Sequence, residues 1–228
     1  MASKESLKSV SPEGLHDRSG APFVIAQLGQ TLDGRISTLG GKAEHINGNA
    51  ALDHLHRLRA SVDAVVVGAG TVIADDPQLT VRRVPGQHPA RVIIDPGGRV
   101  PISSRCFDDT GSARIIISSV SAPQQNSGIK CIRLALKDGQ LDPHEIVRAL
   151  RNQGLHRILI EGGSQTVSRF LAAKALDRIH LLVAPIILGS GTTGINLPSI
   201  SDITMAVRPR TSTQILDDGN VLFDCDLR

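Results

Sequence analysis

The chain has 228 residues, 40% of them hydrophobic and 21% charged, with a formal net charge of +3. This is ordinary globular composition with ample chain for a core, and no apolar run is long enough to span a bilayer. Lys and Arg are scattered, Trp and Tyr are absent and there are only four Phe, so both the basic footprint and the stacking platforms of a nucleic-acid binder are missing.

Cys106, Cys131 and Cys225 stand far apart. They form neither a metal-ligand spacing nor a disulfide framework, which suits a reducing compartment. The N-terminal stretch is polar and lacks the apolar centre of a signal peptide. The expectation is a cytoplasmic protein with a poorly ordered leader over residues 1–20, a single domain over residues 21–228, and no metal, membrane or nucleic-acid partner.

In chain order, Pro22–Leu28 reads as the first strand, and Asp33-Gly34 as a turn after it. Asn47 is placed to cap a helix running from about Asn49 to Ala60. On that helix Leu52, Leu55 and Arg59 fall at i, i+3 and i+7, so Arg59 shares the apolar stripe while Arg57 points away. A guanidinium leaning toward the buried side needs an anion, unless it snorkels to water along its stem. His54 and His56 lie two apart and face different directions, so they cannot chelate together.

Val65–Val67 is a β-branched run that ends in Gly68-Ala69-Gly70-Thr71, followed by Asp75, Asp76 and the pair Arg82-Arg83. A buried strand emptying into a glycine loop brings bare backbone N–H groups to a ligand, and the same pattern also describes an ordinary turn. Arg91–Asp95, Arg114–Ser119 and Lys130–Leu134 are further strands. Pro143–Asn152 has helical spacing, with Gly154 as a C-cap. Arg157–Ile160 is again a buried strand, emptying into Glu161-Gly162-Gly163-Ser164. A helix over Gln165–Lys174 starts there with Ser164 as its cap, a second corner that suits a phosphate or a tight connection. Arg178–Leu188 reads as a long strand, and Asp217-Asp218-Gly219 joins Thr211–Leu216 to Asn220–Asp226 as a hairpin. Strands alternate with helices and then dominate, which implies a mainly parallel sheet with antiparallel strands added last.

No P-loop and no G-x-S-x-G elbow are present, and Gly68-Ala69-Gly70 supplies only part of a dinucleotide fingerprint. Thr31–Thr38 (TLDGRIST), Leu55–Arg82 (LHRLRASVDAVVVGAGTVIADDPQLTVR), Ile160–Gly163 (IEGG) and Ala184–Gly189 (APIILG) nevertheless occur in this order. Together they resemble the pyrimidine reductase of riboflavin biosynthesis, over about residues 22–226.

That resemblance implies a dihydrofolate-reductase-like α/β fold: a mixed, mainly parallel sheet with helices on both faces and a C-terminal antiparallel hairpin. It implies an oxidoreductase that uses NADPH to convert the ribose of a (di)aminopyrimidine ribosylamine 5′-phosphate into a ribityl chain, working as a homodimer. Carried over by motif, Glu161 and Asp75 are the catalytic candidates. Arg59 and Arg82 would hold the phosphate, with Asp33, Gln27 and Asn47 also at the substrate. Gly68, Gly70, Thr71, Gly162 and Gly163 would meet the NADPH phosphates and ribose, and Ser118 and Arg99 its adenosine end. The chain departs from the two-domain bacterial pattern at Gln27, where a Lys is usual, and at Ala43–Asn47, and it lacks the H-x-E and P-C-x-x-C of the attached deaminase. It thus looks more like the stand-alone form, which in some lineages reduces the diaminopyrimidine before deamination. A same-fold reductase of another imine or a pterin, or a non-catalytic nucleotide-binding domain, would share these features.

Overall fold

The structure, a computed structural model, describes residues 22–40, 46–123 and 128–228. The expected leader and His45 lie outside these residues. The elements are β1 (Phe23–Thr31), β2 (Arg35–Ser37), α1 (Asn49–Ser61), β3 (Ala64–Gly68), α2 (Ala69–Asp75), β4 (Ala90–Ile94), β5 (Arg114–Ser119), β6 (Lys130–Leu134), α3 (Pro143–Arg151), β7 (Arg157–Glu161), α4 (Ser164–Ala172), β8 (Arg178–Ala184), β9 (Thr192–Thr193), β10 (Arg210–Ile215) and β11 (Val221–Asp226).

One nine-stranded sheet runs in the order β10-β11-β8-β1-β7-β3-β4-β5-β6. From β8 to β6 every neighbouring pair is parallel, and β11 and β10 close one end antiparallel. Strands covered on both faces need apolar residues at every position, and Val65, Val66 and Val67 are accordingly all buried. Their alternation feeds two cores. Val66, Ala26, Ile158 and Ile160 pack under α3 and α4 with Val147, Leu150, Val167 and Phe170. Val65, Val67, Ile25 and Leu159 pack under α1 and α2 with Leu58, Val62 and Val72. The expected fold class, a mainly parallel sheet with helices on both faces and a terminal hairpin, is the one observed.

Four local expectations are corrected. The stretch after Val67 is no loop: β3 passes directly into α2, a helix of about two turns, too short to show periodicity in the sequence. Asn47 does not cap α1; Gly48 holds the N-cap position without a side-chain bond. Ser164 likewise lies inside α4, behind Gly163 as N-cap. β8 stops at Ala184 rather than Leu188, because Pro185 has no N–H to donate to the ladder.

Candidate active site

β1, β7 and β3 are adjacent and parallel, so their C-terminal ends open side by side, where ligands of open α/β sheets bind. In register, Gln27 on β1 pairs with Glu161 on β7. The two glycine corners of the sequence meet here. A Cβ on Gly68 would stand 2.5 Å from Thr166 Oγ1 of α4, and one on Gly162, whose φ is +98°, would stand 2.8 Å from Thr71 Oγ1 of α2. The Gly163 N–H donates to Thr71 Oγ1 at 3.0 Å. The first turns of α2 and α4 therefore interlock, and only glycine permits the approach.

Two cavities flank this junction. The larger, about 670 Å³, is lined by Gly68, Gly70 and Thr71, by the end of β4 with Arg99, and by Gly163 and the first turns of α4. The smaller, about 250 Å³, holds Gln27, Asn47, Glu161 and Gly162 among leucines of α1 and β8. Asp75, Gly163 and Ile36 line both, so two ligands seated in them would touch at that wall.

The strongest polar contact at the site joins α1 to β7. Arg59 Nε donates to Glu161 Oε1 at 2.8 Å, Nη2 donates to Oε2 at 2.7 Å, and Nη1 donates to the Thr80 carbonyl at 3.0 Å. Arg59 is 6% exposed and Glu161 4%. Burial disfavours the charge on Arg59, yet the facing carboxylate outweighs it and the arginine pKa is raised. Arg59 thus has the anion its stripe demanded, but the anion belongs to the protein. Its fork is engaged by Glu161 and its third nitrogen by the Thr80 carbonyl.

Arg82, by contrast, is exposed, and its backbone N–H donates to His56 Nδ1 at 3.0 Å. Burial and the nearby Arg59, Arg105 and Arg83 lower its pKa, the mark of positive charges crowded together. His56 is buried and pushed down to about 4 by burial and by the neighbouring arginines. It is neutral at physiological pH and accepts the bond that fixes the Arg82 backbone.

Of the remaining expected residues, Asp75 sits at the wall common to both cavities and Arg99 at the rim of the larger. Asn47 lines the smaller cavity. Its Nδ2 donates to the Leu182 carbonyl and to Asn220 Oδ1 at 3.2 and 2.8 Å, and its Oδ1 lies over Gly29, where a Cβ would come within 1.8 Å. Two expected residues lie apart from both cavities. Asp33 accepts from the Thr31 hydroxyl and from the N–H groups of Leu188 and Gly189, contacts that draw its pKa down to about 2. It therefore ties the turn after β1 to the loop after β8. Ser118 is buried with its Oγ 3.2 Å from Cys131 Sγ. Gln165 and Arg169, which line the larger cavity from α4, were missed. Their i, i+4 spacing behind a glycine corner was the available signal.

Residues 22–219 match the family described as RibD C-terminal domain. An archaeal protein of Methanothermobacter thermautotrophicus named 2,5-diamino-6-ribosylamino-4(3H)-pyrimidinone 5′-phosphate reductase is 34% identical over 82% of this chain and 89% of its own length. The riboflavin biosynthesis protein RibD of Mycobacterium tuberculosis is 35% identical over 86% of this chain but 52% of its own, so the chain spans about half the length of that relative. Among solved structures, a deaminase/5-amino-6-(5-phosphoribosylamino)uracil reductase of Thermotoga maritima superposes with a TM-score of 0.74 at 28% identity, covering 92% of this chain and 58% of that one.

Proposed function

Because the chain belongs to the RibD C-terminal domain family, we propose that it is the pyrimidine reductase of riboflavin biosynthesis. It reduces the ribose of a pyrimidine ribosylamine 5′-phosphate to a ribityl chain, with NADPH as reductant. The observation that carries the reading is the pair of adjoining cavities: one combines glycine backbone with Arg99 and Arg169 and is large enough for a dinucleotide, and the other is smaller and sets the carboxylates of Asp75 and Glu161 and the amides of Gln27 and Asn47 among leucines. The archaeal relative, matched over nearly its whole length, favours the diaminopyrimidine as substrate.

The larger cavity suits a dinucleotide for a structural reason. A Cβ on Gly70 would meet nothing within 4 Å, so at this corner the missing side chain leaves open space beside the backbone of α2. The first turn of α4 has no side-chain cap on its N–H groups, which is where a phosphate is held. Gly68, Gly70, Thr71, Gly162 and Gly163 would meet the phosphates and ribose, while Arg99 offers charge for the adenosine 2′-phosphate. When bound, NADPH supplies a hydride to the sugar C1.

The protein's own part is orientation and charge. Gln27 and Asn47 present amides to the pyrimidine, and Asp75 accepts from the sugar hydroxyls at the wall between the two ligands. Arg82, whose side chain makes no ion pair among the described residues and whose backbone His56 anchors, meets the phosphate. Glu161 places a carboxylate beside the reacting carbon. We further propose a homodimer. β10 ends the sheet as an open edge, with Ile215, Ile203 and Met205 more than half exposed near it, and a light-scattering mass would read the association directly.

The test follows NADPH oxidation with the diamino and the deaminated pyrimidine ribosylamine phosphates in turn. Turnover with the diamino compound as the faster substrate is expected. NADPH binding without turnover of either would overturn the assignment.

A further inference from the structure

Asn47 and Asn220 are 173 residues apart in sequence, and a chain of hydrogen bonds through them joins the C-terminal hairpin to the smaller cavity. The turn before β11 supplies Asp218. Its Oδ2 accepts from the N–H groups of Ala50 and Ala51 at 2.8 and 3.2 Å, the cap that Gly48 does not give α1. Its Oδ1 accepts from the Asn220 N–H at 3.1 Å. Burial disfavours the charge on Asp218, but the side-chain bond from Asn220 and these backbone bonds outweigh it and lower its pKa. Asp218 is therefore a carboxylate, which accepts and cannot donate.

The sense of each amide in the chain follows. A donor must face Asp218, so Asn220 turns Nδ2 to it and Oδ1 away. Asn220, 2% exposed, accepts at that oxygen from Asn47 Nδ2 at 2.8 Å. The other Nδ2 hydrogen of Asn47 goes to the Leu182 carbonyl at 3.2 Å, a backbone oxygen that also only accepts. Turning the Asn47 amide over would set its oxygen against two acceptors at once. Asn47 Oδ1 is thus locked over Gly29, where a Cβ would stand 1.8 Å from it, and both residues line the smaller cavity. No donor among the described residues reaches that oxygen. Gly29 lies two positions beyond Gln27 on β1, so the locked oxygen and the Gln27 amide share one face of the sheet.

An amide free to turn serves a donor or an acceptor on a ring alike, whereas one locked in this sense serves only a donor. The diamino and the deaminated pyrimidines differ at C2, which bears an amino group in the first and a carbonyl in the second. We propose that Asn220 and Asp218 are positioning residues that hold Asn47 as a fixed acceptor for the C2 amino group, so that the smaller cavity selects the diaminopyrimidine. This rests on the function proposed above.

The test is the ratio of kcat/KM for the two ribosylamine phosphates, followed by NADPH oxidation. In the parent the diamino compound is expected to lead by about 10- to 100-fold, the scale of one acceptor left facing another. In Asn220→Leu the ratio should fall about tenfold, through KM for the diamino compound more than through kcat, with NADPH affinity unchanged. Asn47→Leu should bring the ratio near one, and adding Asn220→Leu to it should change the ratio no further. An unchanged ratio in Asn220→Leu would overturn the proposal, as would an equal loss on both substrates. So would a parent that prefers the deaminated ring, whose extra ring N–H would then be the group that is read. If Asn220→Leu fails to fold, Asp218→Asn, which can turn a donor or an acceptor to Asn220, should lower the ratio in the same direction, and an unchanged ratio there counts against the proposal. If the parent turns over neither pyrimidine, the function is wrong and the lock is judged by itself. In ¹⁵N-asparagine-labelled protein the Asn47 amide protons, identified by Asn47→Leu, should exchange slowly with water, and faster in Asn220→Leu. Fast exchange in the parent would show that the lock does not form.

Discussion

Burial assigns different work to side chains of the same type. Arg59 and Arg82 sit in one motif, but the buried one forks Glu161, while the exposed one makes no ion pair among the described residues. The histidines of α1 are likewise set apart from solvent-exposed ones. His54 Nε2 lies 2.9 Å from His180 Nδ1, and burial, with His180 and Arg57 adding to it, lowers its pKa to about 3. His56 stands at about 4. Both folded values lie below the unfolded value of about 6.5, so the unfolded chain binds the extra protons. Their stabilising effect is complete above about pH 6.5 and is lost as the pH falls from there toward about 4 for His56 and about 3 for His54, each contributing a slope approaching about 1.4 kcal/mol per pH unit. Asp33, with its folded value of about 2, loses its contribution only below about pH 3.8. Urea midpoints measured at pH 7.5 and pH 5 should therefore fall steeply in the parent and less steeply in His56→Asn. An equal fall in both would show that His56 does not carry the dependence. The sequence left open whether Arg59 meets an anion or snorkels to water, and the stripe itself is only partly buried, with Leu52 exposed and Leu55 half-buried. Nor could the sequence show which anion, since Glu161 arrives through the sheet register and not through spacing.

At the scale of elements, the site depends on the interlock of α2 with α4. α2 starts directly from the end of β3, and α4 follows the end of β7 after Gly162 and Gly163. The glycines that signalled a loop at Gly68–Thr71, and the one at Gly162, are there in part because Thr166 and Thr71 stand too close for a side chain at Gly68 and Gly162. That reason depends on elements about a hundred residues apart, so the residue types were legible while the helix was not. The same holds at Asn47, which looked like a cap but reaches across to Leu182 and Asn220. The two glycines of the first corner also differ in kind. Gly70 sits in the first turn of α2, where an added Cβ would meet nothing within 4 Å, so Gly70→Ala should leave thermal stability unchanged or raise it by up to about 1 kcal/mol. The new methyl projects into open space at the larger cavity, and NADPH affinity read by nicotinamide fluorescence should fall. Unchanged NADPH affinity would place the dinucleotide elsewhere.

For the whole molecule, the order of predicted elements was enough for the fold class: strands alternating with helices, then a Gly-turned hairpin. The strand order was not legible, because β1 lies between β8 and β7, the last parallel strands to be made. That late insertion brings the EGG corner beside the GAGT corner and creates the wall of Asp75, Gly163 and Ile36 that belongs to both cavities. In the proposed reaction two ligands meet across this wall. A ternary crystal structure with NADP⁺ and the ribityl product measures it most directly. The nicotinamide C4 should lie within about 3.5 Å of the former sugar C1, beside Asp75 and Gly163. A nicotinamide ring found away from that wall, or a product bound outside the smaller cavity, would rule out hydride transfer across it.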